Sequence, residues 1–171
     1  LNNIINTMSE PKRDLRSWLK RVEELGLLKI VEGADAELEI GAITDLNAKS
    51  KKWTILFDNI KGYERGYRVL VGTLLDAKRV AITFGLSPNT SDLELVKFFK
   101  ERLEFARRNY DRFPPTYVKT SPVMENIDRG ENVNLLKFPA PKWHEFDGGR
   151  YIGTADAVIT KDPDSDWINV G

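Results

Sequence analysis

The stretch from His144 to Gly171, HEFDGGRYIGTADAVITKDPDSDWINVG, decides how the chain is to be read. Within it, YIGTADAVIT (151–160) alternates well enough to predict a strand. One face carries Ile152, Thr154, Asp156 and Val158. The other carries Tyr151, Gly153, Ala155, Ala157 and Ile159, a face of mostly small residues that suits a bulky group lying close. KDPDSD (161–166) is turn chemistry, because proline presets one φ and aspartates bond their own backbone. WINV (167–170) then returns as the partner strand. Such a hairpin is expected to set Asn169 across from the middle of the first strand, with Gly148 and Gly149 allowing a tight approach to it.

Upstream the texture is different. Pro122, Pro139, Pro141 and Pro163 punctuate extended pieces, and RFPPTYV (112–118) stops the helix before it, since a double proline cannot continue one. The boundary is placed there. Residues 1–13 are an extension, 14–115 a mixed α/β (α+β) domain, and 116–171 the start of a β domain. In the first domain, DLRSWLKRVEELG carries Leu15, Trp18, Leu19, Val22 and Leu25 at helical spacing, with Asp14 as N-cap and Gly26 as the stop. LLKIV (27–31), KWTILFDNI (52–60) and YRVLVGTLL (67–75) read as strands. DAELEIGAITDLNAK reads as a helix with Leu38, Ile43 and Leu46 on its period. DAKRVAITFGL is a short helix closing near Gly85. The longest helix starts after Thr90 or Ser91 and is expected to turn Leu95, Phe99, Leu103 and Ala106 to a core. A tail whose first strands lack neighbours is expected to be less protected than this domain.

Composition excludes several classes. Of the 171 residues 41% are hydrophobic and 30% charged, a folded and not a disordered mixture. Lys+Arg and Asp+Glu both count 26, so no net charge points to nucleic acid. No apolar run reaches the roughly 20 residues that span a bilayer, and no secretory signal is visible, so a cytoplasmic location is expected. Cysteine is absent and His144 is the single histidine, which rules out thiolate chemistry and a zinc site of the usual kind.

Asp162, Asp164 and Asp166 mimic the start of a calcium loop, but its glycine position holds Trp167, so they are read as a turn. GGRYIG precedes a strand and matches no phosphate-binding fingerprint. His144 beside Glu145 and Asp147 is read as a structural histidine rather than an acid–base pair. Trp143 and Trp167 are read as packing residues rather than stacking platforms. Spacing alone gives Asn169 no role.

Taken whole, the stretch resembles the UbiD family of prenylated-flavin-dependent decarboxylases. His144, Asp147, Gly148, Gly149, Arg150, Tyr151, Ile152, Gly153, Thr154, Asn169 and Gly171 stand in register with that family's segment, and DLRSWLKRVEELG and FDNIKGY are similar to its opening domain. The resemblance implies an α/β amino-terminal domain followed by the first strands of a flavin-reductase-like split β-barrel. It implies reversible, non-oxidative decarboxylation of an aromatic or α,β-unsaturated carboxylic acid through a covalent prenylated-FMN adduct.

By the same resemblance Thr154 lies near the flavin. Asn169 binds Mn²⁺ (or Mg²⁺) that bridges to the cofactor phosphate, with K⁺ as a further cation. The family's remaining metal ligands and its acid–base network are expected after Gly171, so no catalytic residue is assigned and the isolated chain is expected to be inactive. The implied partners are the remaining part of the enzyme or a companion subunit, a flavin prenyltransferase that supplies the cofactor, and further copies in a homo-oligomer. The alternative is a non-catalytic subunit or binding module that completes a site with a partner chain.

Overall fold

The computed structural model describes residues 14–153 and 156–171. Helix α1 (Leu15–Glu24) begins at a reciprocal capping box. The Asp14 carboxylate accepts from the Ser17 amide, and the Ser17 hydroxyl accepts from the Asp14 amide. Its apolar stripe buries Val22 completely, half-buries Trp18, Leu19 and Leu25, and leaves Leu15 exposed. The Trp18 indole donates to Thr83 Oγ1 at 3.1 Å, tying this helix to the third.

A crossover unit follows. Strand β1 (Leu28–Glu32), helix α2 (Glu39–Ser50) and strand β2 (Thr54–Asp58) place β1 and β2 side by side and parallel, with Ile30 opposite Leu56. Strand β3 (Val69–Val71) pairs antiparallel on the other side of β2. β2 is therefore central, and Ile55, Leu56 and Phe57 are all buried. Ile55 and Phe57 join Ala34, Ala36, Ile40, Ile60 and Val71 in one core cluster, while Leu56 is buried on the other face of the sheet. Helix α2 turns Ile40, Ile43, Thr44 and Asn47 inward, so of the expected set Ile43 faces the core while Leu38 and Leu46 do not lie on that face. Leu38 precedes the helix at a positive φ of 67°, and Leu46 is 68% exposed. Asn47 closes the α2–β2 turn: its amide donates to the Trp53 carbonyl (2.6 Å) and accepts from the Trp53 amide (3.0 Å).

The strand expected over 67–75 shortens to three residues because Gly72 turns the chain at φ 76°. A Cβ there would stand 3.0 Å from the Trp53 carbonyl oxygen, so glycine serves both the dihedral and the close approach. Helix α3 (Ala77–Thr83), capped by Asp76, carries a fully buried Arg79. Its guanidinium pairs with Asp76, donates to Thr54 Oγ1 at 2.9 Å and donates to the Lys52 carbonyl at 2.8 Å. Thr54 is itself fully buried and donates to the Gly72 carbonyl, so one network joins α3 to β2 and to the end of β3.

Helix α4 (Asp92–Asn109) opens on the second capping box, Ser91 with Glu94. Its first turns pack Leu95, Phe98 and Phe99, and Phe84 meets the Phe99 ring edge-on at 4.6 Å. The expectation that Leu103 and Ala106 also face a core is not met. Leu103 is 69% exposed and Ala106 is exposed, because α4 runs past the end of the layer that covers its first turns. After the helix, residues 113–138 run as short 3-10 turns and extended pieces on the surface. Strands β4 (Ile159–Lys161) and β5 (Ile168–Val170) then form an antiparallel hairpin. Among the described residues there is no closed barrel: the two sheets have three and two strands.

Candidate functional site

The segment 138–153 does not hang free. It docks on the first half of the molecule through backbone, side chain and shape. Lys142 donates its amide to the Ala36 carbonyl (3.0 Å) and accepts at its own carbonyl from the Leu38 amide (3.0 Å). The pair Glu37–Lys142 thereby forms a one-residue parallel bridge. Trp143 packs on the core cluster, and its carbonyl passes so close to α2 that a Cβ on Gly41 would lie 1.9 Å from the oxygen. Tyr67 meets Phe138 edge-on at 5.6 Å.

Asp147 organises the turn at the start of the motif. Its carboxylate accepts from the Trp143 amide (3.2 Å) and the His144 amide (2.9 Å), while its own amide donates to the His144 carbonyl. His144 is exposed and its Nε2 lies 3.2 Å from Asp45 Oδ2 on α2, the structural role expected of it. Gly148 and Gly149 adopt no positive φ and have open space where a Cβ would stand, so the tight approach expected of them is not what they provide. Trp143 is half-buried as a packing residue, with its indole N–H buried and unpartnered among the described residues. Trp167, by contrast, is 70% exposed at the hairpin.

The expected strand over 151–160 is corrected. Pairing starts only at Val158, which exchanges both backbone bonds with Gly171 (2.9 and 3.0 Å), and the described residues before it have no neighbouring strand to pair with. Asn169 therefore stands opposite Thr160, at the end of the expected strand rather than at its middle. It is exposed, and no described residue hydrogen-bonds its side-chain amide. Thr154 lies outside the described residues. The three aspartates are turn residues, as read from the sequence. Asp162 accepts from the Asp164 amide and the Ser165 hydroxyl, which hold its carboxyl below the usual value, and Asp166 pairs with Lys161.

Between the β3 segment and the docked segment lies an open groove of about 1030 Å³. One wall is Tyr67–Leu75; the other runs from Phe138 through Trp143 to Tyr151–Gly153. This is at the upper end of ordinary ligand sites, and its lining is largely apolar. Among the described residues no group of three or more His, Asp or Glu side chains is placed to hold a metal, and Asn169 belongs to no such group. Its neutral, unpartnered amide oxygen fits one position on a hard cation. The groove's largely apolar lining, with a few polar side chains such as Arg68 and Asp147, suits an apolar ring system.

The sequence reading missed three organising residues. Arg79 and Asn47 carry no local signal, since a buried guanidinium or amide is defined only by what the fold brings to it. Arg150 stands inside the quoted motif, but its partners, Glu37 (2.7 Å) and the Ala140 carbonyl (3.1 Å), cannot be read from spacing.

Two domain profiles of one family match the chain. The 3-octaprenyl-4-hydroxybenzoate carboxy-lyase N-terminal domain matches residues 19–99, and the Rift-related domain of the same carboxy-lyase matches 116–171. A pyrrole-2-carboxylic acid decarboxylase of Pseudomonas aeruginosa is 33% identical over 94% of this chain and 33% of its own length. The vanillic acid decarboxylase of Sedimentibacter hydroxybenzoicus in its open form superposes with a TM-score of 0.69 at 32% identity, over 93% of this chain and 33% of that one. An evolved dimeric form of the UbiD-class enzyme HmfF from Pelotomaculum thermopropionicum, in complex with prFMN, gives 0.64 at 31% identity, over 92% of this chain and 34% of that one. The chain spans about a third of the length of the curated relatives it matches. It has the mixed α/β fold of the amino-terminal portion of these enzymes, and no described helix is long and apolar enough to cross a membrane. With both profiles of one family aligned in order along it, the chain belongs to the UbiD family of carboxy-lyases.

Proposed function

We propose that this chain supplies the amino-terminal part of a prenylated-FMN-dependent carboxy-lyase that acts reversibly on an aromatic or α,β-unsaturated carboxylic acid. The observation that carries this reading is the match of both family profiles, in order, along the chain. Asn169 supports it: it sits on β5 opposite Thr160, with an exposed amide that no described residue engages. When bound, the prenylated flavin supplies the electron sink for the charge left as CO₂ departs. The chain's own contribution is to bind and orient. Asn169 offers an oxygen to Mn²⁺ or Mg²⁺ near the cofactor phosphate, Thr154 contacts the flavin, and Tyr151–Gly153 form a wall beside it. The rest of the metal site, a K⁺ site and the acid–base groups come from elsewhere in the complete enzyme.

The domain division at 115/116 is supported by the gap between the two profile matches. A split barrel is supported by the hairpin itself: Ile159 (70% exposed), Ile168 and Val170 share an apolar face that further strands would cover. A homo-oligomer, a cytoplasmic location and a prenyltransferase as cofactor supplier belong to the same reading.

The test is Asn169→Ala in the complete enzyme, with bound Mn²⁺ and flavin absorbance measured at matched protein concentration. Loading of both should fall by about ten-fold, the lower end for losing one supporting group at a metal site. Melting of the metal-free protein should not change, since an exposed hairpin residue adds little to the core. Unchanged metal and flavin loading would remove Asn169 from the site.

A further inference from the structure

The groove has one wall from the first half of the molecule and one from a segment that merely docks on that half, so its width depends on what holds the docked wall. Shape alone does not hold it. Docking buries the Trp143 indole N–H without an acceptor among the described residues, which opposes association. The backbone bridge at Lys142 fixes one point, and the exposed His144–Asp45 pair (3.2 Å) adds a second near the start of the docked segment, leaving its far end to be held. Beyond these, Tyr151 donates its amide to the Pro141 carbonyl (3.1 Å), so the segment 141–151 closes on itself as a loop. Arg150 stands at the end of that loop. Its guanidinium donates with one nitrogen to the Ala140 carbonyl at the loop's start (3.1 Å) and with another to Glu37 Oε2 (2.7 Å), in the chain just before α2. Lys142 adds its ammonium to the other Glu37 oxygen at 3.9 Å. Neither Arg150 nor Glu37 lines the groove, whereas Pro141, Trp143, Tyr151, Ile152 and Gly153 do.

We infer that Arg150 and Glu37 are positioning residues: a latch behind the groove that fixes the Tyr151–Gly153 wall against the α2 side of the molecule and so sets the gap in which the flavin is held. This rests on the proposed function for its ligand, but not for the latch itself. Arginine is suited to the task because its planar fork reaches two acceptors at once, the loop's own carbonyl and a carboxylate across the docking seam. A lysine could reach one.

Two measurements test it. In the 171-residue chain, Arg150→Ala and Glu37→Gln should each speed amide exchange at Tyr151 and Leu38 by about five-fold, the upper range for a partly exposed ion pair. The double variant should exceed either single one by much less than the sum of their free-energy effects, because both lose the same Arg150–Glu37 bond, and Arg150→Lys should recover part of the effect. In the complete enzyme, the same variants should weaken binding of FMN, used as the probe, by a similar factor, with the melting curve of the first half unchanged. Unchanged exchange, or effects of the two substitutions that simply add, would overturn the latch. Faster exchange with unchanged FMN affinity would overturn the positioning role and leave a purely structural tie. If the wild-type enzyme binds no FMN, the proposed function fails, while the exchange measurement still judges the latch.

Discussion

Two β-rich runs of similar composition, TILFD in β2 and ITK with INV in the hairpin, end in opposite environments. Ile55 and Phe57 are 3% and 0% exposed; Ile159 and Ile168 are 70% and 58% exposed. Local propensity is the same, and both runs pair as strands. What differs is the company. β2 has a strand on each side and a helix over it, supplied by chain within 30 residues or so of it. Among the described residues the hairpin's sheet has only its own two strands. An amphipathic pattern therefore tells which residues want burial but not whether the partner is nearby, and the two halves of this chain sit at the two extremes.

The largest expected effect tests how far the first half stands alone. Arg79→Ala leaves the Asp76 carboxylate, the Thr54 hydroxyl and the Lys52 carbonyl without their common donor. Because the Asp76 carboxylate is partly exposed and can be solvated, the loss should be about 1.5–3 kcal/mol, the range for hydrogen bonds to a charged group. Urea unfolding of the first half should show it, while exchange of the paired Val158 and Gly171 amides should stay at the wild-type rate. A loss of less than about 1 kcal/mol would mean the network is replaceable by water. A matching change in the hairpin would break the comparison, because it would couple two regions argued to be independent.

A smaller effect is expected where the two halves touch. In an ordinary helix interior Gly→Ala stabilises by about 1 kcal/mol. At Gly41 the sign should reverse, because the added Cβ would overlap the Trp143 carbonyl. Overpacking of this kind costs about 1–3 kcal/mol when the backbone cannot yield. Here the docked segment can yield, so the substitution should appear chiefly as faster exchange at Leu38 and Tyr151, with a modest shift in the urea midpoint. A more stable Gly41→Ala protein with unchanged exchange would show that the segment does not sit on α2 in solution.

The parts legible in the sequence were those with local causes. Asp14 and Ser91 cap their helices because the cap bond spans three residues. The β1–α2–β2 order follows from periodicity, and the KDPDSD turn from proline and aspartate. What failed depended on distance. Leu46 and Leu103 had the right spacing and the wrong surroundings. The strand over 151–160 had the right alternation, but its described residues before Val158 have no strand to pair with. Arg79, Asn47 and Arg150 take their meaning from groups brought to them by the fold. Asn169 was reached only through its register in a family pattern, since an exposed asparagine on a hairpin has no physical signature of its own.

The smallest effect compares a carboxylate in each half. Glu94 accepts from the Ser91 hydroxyl and amide, which hold its carboxyl below its ordinary value of 4.5; Asp162 is held below 3.8 by the Asp164 amide and the Ser165 hydroxyl. For both, the folded-state value lies below the unfolded one. Each contribution to stability is therefore fully present above the unfolded value and is lost as pH falls through the folded one. Both groups face solvent, so the effects are small and screened. They should also read out in different places. Acidification past 4.5 should fray the first turn of α4, visible as faster exchange at Leu95, whose amide bonds the Ser91 carbonyl. The hairpin turn should loosen only as Asp162 itself protonates, and its marker is the Asp162 amide bonded to the Trp167 carbonyl. Glu94→Gln should remove the pH dependence at Leu95 and leave that at Asp162 untouched. If Leu95 exchange in that variant still rises on acidification as in the wild type, the cap is not what Glu94 provides. If Glu94→Gln also changes the pH dependence at Asp162, the two halves are less separate than their burial makes them.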